Sequence, residues 1–190
     1  ELLRVHLLEI EQLHEELREQ AIRDPLTGLH NRRYMQDVFK QEFSRARREN
    51  YPVSVIMLDL DELKSLNDTH GHNVGDQALQ SLAFHLQNMT RKEDIVCRYG
   101  GDEFTVILGK TFPKDAAKRV EEWREALNKH PLETESGNIV RVKFTAGIAS
   151  FPMHGTSMEE VVNYADVALY RAKARGRDCT NVFENDRSGE

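Results

Sequence analysis

An α/β layered domain carrying a helical N-terminal extension is the fold class this sequence predicts, on three observations. Short apolar runs of strand character alternate with longer stretches of helical periodicity, the pattern of helices packed on a sheet. Tyr99-Gly100-Gly101-Asp102 lies between two such runs as a hairpin turn. Residues 1–22 lack Gly and Pro and repeat apolar side chains every seven positions. A length of 190 residues, 39% hydrophobic and 31% charged, suits one domain with a real core and a modest appendage.

The elements follow in order. Leu3, Ile10 and Leu17 form one seam; Leu7 and Ala21 mark a second, weakened at His14. This is coiled-coil spacing, so residues 1–22 are expected to form a dimerising, parallel two-helix stalk. Three heptads are marginal alone, and a helix packed against its own domain is the alternative. Asp24-Pro25 ends the stalk, because the residue before proline is pushed out of helical geometry. A turn-rich connector runs to Leu29, and a helix from about Arg32 buries Tyr34, Met35, Val38, Phe39, Phe43 and Ala46.

Val53–Asp59 reads as a buried strand, followed by a loop and a helix burying Leu79, Leu82, Leu86 and Met89. Ile95–Arg98 and Glu103–Leu108 are the hairpin strands, and a helix over Pro113–Asn128 buries Val120, Trp123 and Leu127. Val140, Val142, Phe144, Ala146 and Ile148 alternate as one strand. Ser157-x-x-Glu160 is a capping box opening the last helix, through Ala165, Leu169 and Ala172, before a short edge strand at Thr180–Phe183.

Composition narrows the function. A net charge of −6 argues against broad nucleic-acid binding. No apolar run is long enough to cross a bilayer, so no membrane contact is expected from these residues. Cys97 and Cys179 are too few for a disulfide framework and read as reduced thiols of a cytoplasmic protein. Because the first residue is Glu1, the chain is expected to be the output part of a longer protein whose upstream sensor or anchor lies outside it.

The chemistry starts from acids. A strand that runs Val-Ile-Met-Leu and then meets Asp59 and Asp61 puts carboxylates at the exit edge of a sheet, where a bare charge is costly unless a cation offsets it. Mg²⁺ held by carboxylates and substrate phosphates is the usual solution. Gly100-Gly101 permits positive φ and close approach of a ligand to the backbone, with Asp102 and Glu103 directly after. Should this hairpin lie beside the Asp59 strand, Asp59 and Asp102 can share a metal, the pattern of metal-assisted phosphoryl transfer.

Gly100-Gly101-Asp102-Glu103-Phe104 resembles the signature string of the GGDEF family of diguanylate cyclases. The resemblance spans about residues 23–184. It includes Asp24-Pro25-Leu26-Thr27-Gly28-Leu29-His30-Asn31-Arg32, the segment from Asp59 to Asp68 with Gly71-His72 and Gly75-Asp76, and the closing helix through Lys173 and Arg177. It implies a central, mostly antiparallel sheet flanked by helices, like the nucleotidyl-cyclase/polymerase palm with its ferredoxin-like core. The implied divisions are the stalk at 1–22, the cyclase domain at 23–186 and a tail at 187–190.

The resemblance also implies roles. Two GTP would be condensed into cyclic di-GMP by a homodimer using Mg²⁺, with Mn²⁺ as a substitute. Asp59, the Leu60 carbonyl, Asp102 and, as a further ligand, Glu103 would hold the metal; Asp102 would accept the proton of the ribose 3′-hydroxyl. Lys64 would stabilise phosphate charge. Asn67 and Asp76 would read guanine beside His72, Gly100 and Gly101 would admit the nucleotide, and Lys173 and Arg177, one helical turn apart, would hold its terminal phosphates. Arg91-x-x-Asp94 would be an inhibitory product site, with a surface ion pair as the plain alternative. Leu63 stands where the family commonly has Phe, which keeps the site apolar with less aromatic area. Rival readings are a silent module that only binds cyclic di-GMP and a nucleotidyl transferase of other base preference.

Overall fold

The computed structural model describes residues 2–184; residue 1 and the expected domain end and tail at 185–190 lie outside the described residues. Helix α1 spans Leu2–Ile22, strand β1 is His30–Asn31, and α2 is Arg32–Glu49. Then come β2 (Val53–Leu60), α3 (Leu63–His70), α4 (His72–Met89), β3 (Ile95–Gly100), β4 (Glu103–Gly109) and α5 (Pro113–Lys129). The chain ends with β5 (Leu132–Glu133), β6 (Ile139–Val140), β7 (Phe144–Phe151), α6 (Met158–Ala174) and β8 (Thr180–Val182).

Six strands make one sheet in the order β1-β3-β4-β2-β7-β8. The four inner strands pair antiparallel, while β1 and β8 join the edges in parallel, so the sheet is mixed and antiparallel at its centre. Every residue of β2 is buried, because helices cover both faces. Ile56, Leu58 and Leu60 point to the layer of α4 and α5 with Leu79, Leu82, Trp123 and Leu127. Val55 and Met57 face the layer of α2 and α6 with Phe39, Phe43, Ala165 and Leu169. Asn31 caps α2 by accepting from the Tyr34 amide, and the Ser157/Glu160 capping box of α6 is formed in both directions.

Local periodicity misled at four places. The segment expected as a loop after β2 holds the two-turn helix α3, whose Leu63 and Leu66 pack on the core three positions apart. The alternating run from Val140 is two strands: Ile139–Val140 pairs with Leu132–Glu133, and the main-sheet strand starts only at Phe144. Alternation carries across that break because both pieces are extended. β7 itself is buried on both faces. Met89 ends its helix exposed rather than in the buried stripe, and Tyr34 and Val38 are only half-buried.

α1 does not pack on the domain. Leu7, Ile10 and Leu17 are 55%, 51% and 62% exposed, so these side chains are not buried against the chain's own domain. Leu13, just before the break at His14, is exposed as well. The side chain of Leu3 lies outside the described residues. Among the described residues no helix is long and apolar enough to cross a membrane, and Cys97 and Cys179 are free thiols.

Candidate active site

The exit of β2 meets the turn between β3 and β4. In the ladder Asp59 lies directly opposite Glu103, and the Leu60 amide donates to the Asp102 carbonyl at 3.0 Å. The sheet therefore brings Asp59, Asp102 and Glu103 to one edge, although 43 residues separate the first two. Like charges directly across a ladder repel, and the site shows it. The Asp59 carboxyl is pushed above its ordinary range first by burial, with Asp102 and Asp61 adding repulsion and Lys173 opposing. Glu103 is likewise raised, by burial and then by Asp59 and Asp102.

One cation offsets the cluster. Lys173 Nζ, in the last turn of α6, sits 2.7 Å from Asp59 Oδ2. Gly101 turns the hairpin with φ +48°, a conformation that glycine adopts without strain. Arg98 donates to its carbonyl through Nε (3.0 Å) and Nη2 (2.7 Å), and its Nη1 reaches Asp24 at 3.1 Å. Asp24 in turn accepts from the Thr27 amide and hydroxyl. The signature turn is thus tied to the connector below α1 through Arg98, a link no local spacing flagged.

Asp61 goes elsewhere. Its carboxylate accepts from Thr145 Oγ1 and from the Asp178 amide, so the second acid of the Asp-x-Asp pair anchors the turn after α6. Among the described residues no group of three or more Asp, Glu, His or Cys side chains stands placed to hold a metal ion. The donors at the β2 edge are hard oxygens at an open edge. They suit Mg²⁺, which keeps waters and phosphate oxygens and takes only one or two carboxylates.

The other expected substrate residues surround α3 and α4. Lys64, His72 and Asp76 are exposed, and Gly100 is open above the turn. Asn67 Oδ1 is buried without a partner, and it lies on Gly75. A Cβ at Gly75 would overlap that oxygen and come within 2.9 Å of Asn67 Cγ and 3.2 Å of Leu63 Cδ1. Gly75→Ala is therefore expected to push Asn67 aside although Ala favours a helix interior by about 1 kcal/mol. Melting should be unchanged or raised, and, with Asn67 reading guanine as the family resemblance implies, KM for GTP is expected to rise about tenfold, the size of one lost hydrogen bond. Steady-state kinetics beside a thermal melt checks it.

Lys173 and Arg177 are not one helical turn apart as expected. α6 ends at Ala174, and Gly176, Arg177 and Asp178 all have positive φ, so the chain reverses there. Arg177 instead lines a polar cavity of about 290 Å³ with Leu60, Arg141 and Lys143.

Arg91 and Asp94 do not form the surface ion pair. The Arg91 amide donates to Asp94 Oδ2 at 2.8 Å, and that oxygen also pairs at 2.7 Å with Arg119 of α5. The Asp94 side chain is fully buried, yet Asp94 Oδ1 and Arg119 Nη1 have no partner. Arg119 escaped the sequence reading because it lies 25 residues downstream on a helix with no motif around it.

The raised Glu103 carboxyl gives a stability test. A folded-state pKa above the unfolded one means that the native chain holds the proton more tightly. That contribution is fully present below the unfolded pKa and is lost as pH rises through the folded one. Glu103→Gln is expected to melt higher than the parent in EDTA, by a margin that grows as pH climbs through the carboxylate range and then levels. Calorimetry from pH 4 to 8 would show a flat difference if burial and the acidic neighbours did not raise this carboxyl.

Comparison with known proteins adds the following. The family model for diguanylate cyclase, GGDEF domain, matches residues 21–179. The chain is 36% identical over 176 residues to the diguanylate cyclase DosC of Escherichia coli K12, covering 92% of this chain and 38% of that protein. It is 38% identical over 161 residues to the response regulator PleD of Caulobacter vibrioides, covering 84% of this chain and 36% of that one. It thus spans under two-fifths of either relative. Among solved structures, the coiled coil and GGDEF domain of DgcB from Caulobacter crescentus, in complex with c-di-GMP, superposes with TM-score 0.84 at 29% identity, covering 95% of this chain and 96% of that one. A GGDEF-only structure of TpbB (YfiN) from Pseudomonas aeruginosa gives 0.81 at 30%, covering 85% and 94%.

Proposed function

Because the chain belongs to the GGDEF family of diguanylate cyclases, we propose that it condenses two GTP into cyclic di-GMP and two pyrophosphates as a homodimer. The observation that carries this reading is the convergence of Asp59, Asp102 and Glu103 at the β2 edge, with Lys173 as counter-charge. Cyclases of this family are generally divalent-metal dependent. Asp59, the Leu60 carbonyl, Asp102 and Glu103 would hold Mg²⁺, or Mn²⁺ in its place. When bound, the ion supplies positive charge that lowers the pKa of a nearby alcohol and offsets phosphate charge.

The chain's own groups do the rest. Asp102 would accept the proton as the ribose 3′-oxygen attacks the α-phosphorus of the facing nucleotide. The new O3′–P bond forms, the bond from that phosphorus to the bridging oxygen breaks, and pyrophosphate leaves. The twofold mate repeats the step. Asn67 and Asp76 would accept from guanine N–H donors beside His72, Lys64 would stabilise the developing phosphate charge, and Gly100 and Gly101 would let the nucleotide approach. Lys173, which neutralises Asp59 in this structure, and Arg177 would hold the terminal phosphates. Alignment of two bound nucleotides is most of the catalysis such a transfer needs.

The exposed apolar side of α1 supports dimerisation through this helix; an upstream sensor in a longer bacterial protein, with the cyclase in the cytoplasm, would regulate it. Arg91 and Asp94, with Arg119, would bind cyclic di-GMP as an inhibitor. No nucleic-acid partner is proposed. The test is incubation of the purified chain with GTP and Mg²⁺, with chromatography of products. Cyclic di-GMP and pyrophosphate are expected, with little conversion of ATP; binding of cyclic di-GMP without GTP turnover would overturn the reading.

A further inference from the structure

Three buried polar atoms have no partner: Asp94 Oδ1, Arg119 Nη1 and His30 Nδ1. Buried polar atoms are seldom left unpaired, because each costs about 1–3 kcal/mol of lost solvation. Asp94 and His30 line the same cavity, of about 310 Å³, and Arg119 pairs with Asp94. Arg23, Arg91 and Lys92 add cationic walls. The volume is at the low end for small-molecule sites, so it accommodates one end of a nucleotide rather than a whole cyclic dinucleotide.

Two walls come from the segment that joins α1 to the domain. Arg23 follows the last residue of α1 and forms a single β-bridge with His30. Its Nε pairs with Glu19 of α1 at 2.9 Å, and its Nη1 donates to the Gly28 carbonyl at 3.2 Å. His30 stacks on Tyr34, ring centres 4.1 Å apart, and its backbone pairs with Cys97 of β3. Burial and the adjacent Arg23 guanidinium hold the imidazole below its usual pKa, so near neutrality it offers a lone pair as well as an N–H.

These groups match a guanine nucleotide. A carboxylate oxygen with no partner accepts from guanine N1–H and N2–H₂, guanidinium groups fork onto O6 and N7 or onto phosphate, and a neutral imidazole serves either way. We propose that Arg23 and His30 belong to the product site, so that a guanine-nucleotide end held by Arg91, Asp94 and Arg119 also clamps the end of α1 to the domain. The inference rests on the reading of Arg91 and Asp94 as a cyclic di-GMP site. Its consequence is that product binding restrains the helix that aligns the two active sites.

The test is calorimetric titration of cyclic di-GMP into the chain, with amide hydrogen exchange read over residues 19–31. The variants are Arg23→Gln, His30→Phe, which keeps the Tyr34 stack, and Arg91→Ala. Arg23→Gln and His30→Phe are each expected to weaken binding about tenfold, the size of one charged hydrogen bond. Ligand should protect residues 19–31 in the parent and not in Arg23→Gln. Parent-like affinity in both variants, with no protection of 19–31, overturns the inference while loss of binding in Arg91→Ala upholds the product site. Parent-like affinity in Arg91→Ala overturns the product site and the inference with it.

Discussion

Asp59→Asn, which removes a proposed metal ligand, and Asp102→Asn, which also removes the proposed proton acceptor, are each expected to lower GTP turnover by about 10²–10⁴-fold. Asp59 is a buried carboxylate at the exit of β2, with Glu103 opposite and Lys173 at 2.7 Å. So placed it is a poor stabiliser of the fold: burial and its acidic neighbours raise its pKa, and only Lys173 opposes them. A carboxylate kept at such a cost is the kind of group expected to act on something outside the chain. The amide retains size and burial, so melting in EDTA is expected to stay within a few degrees of the parent (about 2–4 °C per kcal/mol at this length) while activity collapses. Asp102 lies in the turn and meets β2 through its carbonyl, so replacing its side chain leaves that backbone bond in place. Turnover within tenfold of the parent for either variant, measured under single-turnover conditions with saturating Mg²⁺, would remove the site proposed here.

The second large effect is expected from α1. Ile10→Glu combined with Leu17→Glu should weaken dimerisation by at least about 100-fold, since each buried aliphatic side chain contributes roughly 1.5–3 kcal/mol and 1.4 kcal/mol is a factor of ten. Both side chains are more than half exposed in the single chain, so the substitutions cost the folded domain little and fall on association. A dinucleotide needs two facing active sites, so specific activity of the variant should fall steeply on dilution where the parent's is constant, and recover at high protein concentration. Sedimentation beside activity across a dilution series separates the outcomes. A variant as active as the parent at every dilution shows that α1 does not set the alignment.

The elements that were legible in the chain are those whose cause is local. β2 is a mostly apolar run, α6 opens on a capping box, and the β3–β4 hairpin surrounds paired glycines. Helix α3 was not, because eight residues give too short a period and its two core contacts, Leu63 and Leu66, are few. The break between β6 and β7 was hidden because extended chain on either side keeps the same alternation.

From the sequence alone came the acids, the glycine turn, the amphipathic helices and the family to which they belong, because each is written in residue type and spacing along a few turns of chain. Tertiary structure alone decided which acids do what. Asp59 faces Glu103 and Lys173, while Asp61, two residues on, is taken by Thr145 and Asp178. Asp94 pairs with the guanidinium of Arg119 rather than with that of Arg91, and Arg98 joins the hairpin to Asp24. Those partners lie 25 to 117 residues apart, and a side chain's partner at that range is chosen by how sheet and helices pack, which no local period records.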